Sequence, residues 1–133
     1  MAGHSTANLR QVQDQAPNLG FADGEVELRM ARVPLDCADC GVSYLRLAPN
    51  WRQPFGHAHK VQEEIYVLVS GSAEMKVGDE LVELQPFHAV RVPPHVMRGL
   101  KGGPDGAEVI AVGAPNTGPG DGDAPDPNWT WDH

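Results

Sequence analysis

Apolar and polar residues alternate along most of this chain in short stretches, the period of a half-buried β-strand. From Glu25 to Val33, Val26, Leu28 and Met30 fall on one side, and Glu27, Arg29 and Ala31 on the other. Val42–Leu47 reads as a second strand, ended by Pro49-Asn50, and a short extended piece runs from Phe55 to His59. Ile65–Val69 is the most apolar run; it is too short for a helix, rich in β-branched residues and stopped at Gly71. Ser72–Val77 and Glu80–Leu84 flank Gly78-Asp79, a two-residue hairpin signal, with Met75 and Val77 facing opposite to Glu74 and Lys76. Ala89–Val92 stops at Pro93-Pro94. Val96–Leu100 is followed by a predicted turn over Gly102–Gly106, and Glu108–Val112 closes the series.

Eight or nine short strands without a helical period predict an all-β, closed or nearly closed barrel. The expected division is an N-terminal arm over 1–24, a barrel over 25–113 and a tail over 114–133. The tail is rich in Pro, Gly and Asp and has no core of its own. Trp129 and Trp131 within it read as packing anchors, on the barrel or on a neighbouring subunit.

Composition narrows the function. The chain has 133 residues, 41% hydrophobic, with 15 glycines and 12 prolines, which suits one modest core and many turns. A net charge of -8 repels phosphate backbones and anionic lipid headgroups, so neither nucleic acid nor a membrane surface is an expected partner. No stretch approaches the ~20 apolar residues of a membrane span, and the N-terminus lacks a signal-peptide core. The expected location is the cytoplasm. Cys37 and Cys40 form a C-x-x-C pair, but no further ligands stand at zinc spacing and no βαβ pattern surrounds them. They read as reduced thiols in a surface loop. No nucleophile elbow or phosphate-binding glycine loop is present.

The segment that carries chemistry is Gly56-His57-Ala58-His59-Lys60-Val61-Gln62-Glu63-Glu64. On an extended chain His57 and His59 point to one face. Glu64 opens the next apolar strand, which a barrel can bring back beside them. Two imidazoles and one carboxylate form the facial set that binds Fe(II) and also suits Mn, Ni or Zn. Alone, H-x-H is a weak signal. The longer spacing is more specific: His57, one residue, His59, four residues, Glu64, six residues, Gly71. Glu63 would miss the spacing to Gly71.

That string resembles the first signature of the cupin superfamily, and residues 40–113 as a whole resemble small single-domain bacterial cupins. The resemblance implies a cupin-type double-stranded β-helix, or jelly-roll barrel. It implies metal ligation by His57, His59 and Glu64, and a homodimer, which would also cover edge strands. The second signature departs from the family pattern. Phe87-His88 replaces a Gly-Asp turn, His95 replaces the glycine after the prolines, and Arg98 stands where the fourth, histidine ligand is expected. A guanidinium cannot ligate a metal. Arg98 either pairs with Glu64 in a metal-free site, swings away, or grips an anionic substrate. His95 is a substitute ligand only if its proline-bounded loop turns inward, and the rim is the better placement; His88 is expected in solvent. Tyr66 shares a face with Glu64 and lines the pocket or packs in the core.

The functional classes left are a metal-dependent enzyme of dioxygenase, isomerase or lyase type, a metal-free small-molecule-binding or sensor module, and a barrel whose site is an internal salt bridge. Arg98 moves weight towards the last two.

Overall fold

A computed structural model describes residues 3–116 and 122. Among these residues six antiparallel strands form one sheet that wraps on itself: β1 Val26–Met30, β2 Gly41–Leu47, β3 Glu63–Val77, β4 Glu80–Leu84, β5 Ala89–Val92 and β6 Arg98–Ala114. Their order is β1-β2-β6-β3-β4, with β5 also paired to β3. The helical content among the described residues is two three-residue 3₁₀ turns, Leu9–Gln11 and Pro17–Leu19. Among the described residues no helix is long and apolar enough to cross a membrane. Trp129 and Trp131 lie outside the described residues.

Two expectations are corrected. The strands read at Ile65–Val69 and Ser72–Val77 are one 15-residue strand, and the turn read at Gly102–Gly106 lies within the 17-residue β6. Glycine here serves bending, not termination. β3 and β6 pair along their length, with register shifts between Leu68 and Ser70 and between Gly71 and Ala73. A bulge bends a strand without ending it. Gly71 has φ 77°, and a Cβ on it would fall 2.1 Å from the Gly106 carbonyl oxygen. Only glycine permits that approach. The piece read at Phe55–His59 makes isolated bridges, His57 to Arg98 and His59 to Gly122, and no ladder.

The hairpin at Gly78-Asp79 is present, with Val77 opposite Glu80 and Gly78 at φ 58°. Inward residues of facing strands fill the core: Leu47, Leu68, Met75, Leu84, Val92 and Val109 are each almost wholly buried. Burial of such side chains contributes about 1.5–3 kcal/mol each before entropy is counted. The N-terminal segment packs on this barrel. Asp14 bridges to Arg29, and Ala16 is buried. The Arg10 guanidinium donates to Glu108 at 2.6 Å, and Glu108 also accepts from the Tyr44 and Ser70 hydroxyls.

Candidate metal centre

The site follows from strand parity and from one pairing. His57 N donates to Arg98 O, and Arg98 N donates to His57 O. Residues exchanging both bonds stand opposite each other and share a face. His57, His59 two residues on, and Arg98 therefore project together. Glu64 and Tyr66, at the start of β3, meet them from across the barrel. The ligand atoms of His57, His59 and Glu64 all lie within 4.8 Å of one another.

Three donors converge on one oxygen. Glu64 Oε1 accepts from the Tyr66 hydroxyl at 2.7 Å and from Arg98 Nη1 at 2.8 Å, and His59 Nε2 lies 3.0 Å away. Burial alone would raise the Glu64 carboxyl. The hydrogen bonds of His59 and Tyr66 and the charges of His59 and Arg98 outweigh it and hold Glu64 at about 2. Burial, opposed by Glu64 and aided by Arg98 and His59, pushes the His57 imidazole down to about 4. At neutral pH His57 is uncharged, the form a metal requires. Burial and the neighbouring carboxylate push the Tyr66 phenol well above its usual range, so it stays a donor.

Arg98 has no exposed surface. Nη1 holds Glu64, Nε donates to Val96 O at 3.0 Å and Nη2 to Pro93 O at 2.9 Å. The proline step thus supplies the carbonyls that anchor the guanidinium. His95 is exposed at φ 69°, and its backbone N–H donates to His59 O; its side chain lies at the rim. His88 is exposed as well. Cys37 and Cys40 are free thiols, half-buried and exposed.

A cavity of about 220 Å³ adjoins the site, lined by Phe21, Leu28, Trp51, Gln53 and the site residues, among others. Beyond it a wider basin of about 700 Å³ shares Met30, Ser43, His59, Glu64 and Ala111 with the inner cavity. Trp51 and Gln53 were missed by sequence reasoning, although they extend the same odd-numbered alternation as His57 and His59. Phe21 comes from the N-terminal segment, where no periodicity points to it.

No family model matches the chain, and no curated protein does. Solved structures do. A cupin protein from Bacteroides fragilis matches with a TM-score of 0.69 at 21% identity, covering 88% of this chain and 88% of its own. The chain has the cupin fold. KdgF from Halomonas sp. matches at 0.67 and 18% identity, over 86% of this chain and 94% of its own length. A variant of Streptomyces PAC13, solved with uridine, matches at 0.67 and 14% identity, over 89% of this chain and 88% of its own. At such identities the likeness is one of backbone, and what this chain does must be read from its own side chains.

Proposed function

We propose that this cupin binds a small molecule in its barrel, at a divalent-metal position held by His57, His59 and Glu64. The observation that carries the reading is the convergence of these three ligand atoms within 4.8 Å at a cavity wall. The donor set fits a metal: an uncharged imidazole at His57, a second imidazole, and a carboxylate kept ionised. An ion there would supply Lewis acidity and open coordination positions for a small ligand and water. Fe, Mn, Ni and Zn all suit the set. The likeness to PAC13, solved with uridine, supports a ligand-holding cavity.

Arg98 tunes the position. Its charge already balances Glu64, so an incoming dication gains less than it would from a free carboxylate. A unit charge ~5 Å from a dication at an effective dielectric of ~20 costs on the order of 6 to 7 kcal/mol before compensation. The same 2.8 Å contact favours a second reading, a metal-free binding or sensor module in which Arg98 and Glu64 form a permanent pair.

Titration of the untagged protein and of Arg98→His with Mn(II), Ni(II) and Zn(II) separates the two. Stoichiometric, weak binding by wild type and much tighter binding by the variant supports the tuned metal position. Binding by the variant alone supports the metal-free module. Equal affinity in both overturns the role given to Arg98.

A further inference from the structure

We infer that Cys37 and Cys40 form a reversible dithiol–disulfide site, open to small organic disulfides, at the rim of the wide basin. The inference concerns the loop between β1 and β2 and stands apart from the metal position.

The loop fixes the separation of the two thiols. Leu35 N donates to Ala31 O, Asp36 N to Val33 O and Cys37 N to Arg32 O at 3.0 Å, so Cys37 ends a wound turn. Cys40 directly precedes β2, which is laddered to β6 from Gly41 onward. Between the two cysteines the chain bends at Ala38 and Asp39. Asn116, just past β6, holds that bend: its backbone N–H donates to Asp39 O at 2.7 Å and Nδ2 to Cys37 O at 3.2 Å. From the N-terminal segment Ser5 Oγ donates to Leu35 O at 2.6 Å. Residues three apart in a tight turn stand within about 7 Å, and a disulfide spans Cα separations of about 4.4–6.8 Å. The side chains of Cys37 and Cys40 already share a hydrogen bond.

Accessibility sets the order of reaction. Cys40 is exposed and Cys37 is half-buried. Burial, then the charge and hydrogen bond of Cys40, push the Cys37 thiol up, so Cys37 keeps its proton while Cys40 reacts. The Cys40 thiolate attacks one sulfur of the small disulfide; that S–S bond breaks, a mixed disulfide forms and a first thiolate leaves. Cys37 then gives up its proton and attacks the Cys40 sulfur, and a second thiolate leaves. The chain has lost two protons and two electrons, and the small disulfide has become two thiols. Arg32, Pro34, Gly41 and Asn116, beside this loop, all line the basin, so the two redox forms differ at its rim.

The test exposes reduced full-length protein to excess 2-hydroxyethyl disulfide, an uncharged probe, with free thiols counted and products weighed by mass spectrometry. Wild type is expected to lose both thiols together and to end as a single chain with an internal disulfide, restored by dithiothreitol. Cys37→Ser should stop at a mixed disulfide on Cys40, and Cys40→Ser should react at least about tenfold more slowly, through the less exposed thiol. In urea, where the bend is lost, the internal disulfide should form about tenfold less favourably against the thiol of the probe. A mixed disulfide on each cysteine, a disulfide-linked dimer, equal rates in the two serine variants, or the same equilibrium in urea overturns the inference.

Discussion

Arg98→Met isolates what the guanidinium does. The side chain is wholly buried and leaves behind a carboxylate whose side chain is only 14% exposed. Breaking a buried pair from one side costs about 3–5 kcal/mol, mostly the penalty of the charge left behind. Glu64 retains the Tyr66 hydroxyl and His59, which places the charge penalty near the lower figure. The carbonyls of Pro93 and Val96 lose their donors, adding about 1 kcal/mol or more. Methionine recovers part of the packing, so the expected net loss is about 3–4 kcal/mol. For a domain of this size that is a fall of roughly 10–15 °C in Tm. Urea unfolding followed by circular dichroism measures it. Two further results should accompany the loss. Adding Glu64→Gln to the variant should recover part of it, because the unpaired charge is gone. Millimolar Zn(II) should stabilise the variant by about 2.7 kcal/mol where it stands at a hundredfold excess over the variant's Kd, and the weaker-binding wild type by less. A loss below about 1 kcal/mol, with Zn(II) acting equally on both proteins, would refute the account of Arg98 as the counter-charge of Glu64.

Gly71→Ala should cost at least about 3 kcal/mol, combining positive-φ strain with the 2.1 Å clash, whereas Gly78→Ala, with open space around it, should cost about 1 kcal/mol; equal losses in urea unfolding would count against the tight crossing. The hydrogen bonds of Tyr44, Ser70 and Arg10 hold Glu108 at about 2, below the ordinary 4.5. The stability they add is present above pH 4.5 and is lost as pH falls towards 2. It amounts to about 1 kcal/mol after solvent screening of the exposed Arg10, and acid unfolding of Glu108→Gln should lack this component. The exposed Ile65 and Val112, directly paired on β3 and β6, offer a face for a second copy, so light scattering should give twice the 14.3 kDa chain mass; the monomer mass at micromolar concentration would remove the dimer.

The fold class was legible because period-two alternation records which face of a strand is buried, and Val26, Leu28 and Met30 do line the cavity as that pattern implies. The meeting of His57, His59 and Glu64 was legible from parity and spacing. Strand ends were not. A glycine that stops a strand and one that bends it have the same sequence signature, and only the Gly106 carbonyl 2.1 Å from the Cβ position of Gly71 tells them apart. The fate of Arg98 was open for a similar reason. Its alternatives differ in which carbonyls reach the guanidinium, and the Pro93 and Val96 oxygens are placed by a turn whose geometry no periodicity encodes.

The β3–β6 ladder sets the site's dependence on the whole chain. Along it Glu64 is matched with Gly113 and Arg98 with Val77, so the two residues sit at opposite ends of a ribbon more than a dozen residues long. They touch at 2.8 Å, so the ribbon must curve between them, and its register shifts lie midway along that stretch. The ion pair is therefore a clasp between the ends of a bowed spring. Straightening the ribbon, even with every rung intact, pulls the carboxylate from the guanidinium and from His59 together. A ligand that bound at Glu64 while leaving the Arg98 contact in place would therefore favour the curved form of the sheet over a straightened one.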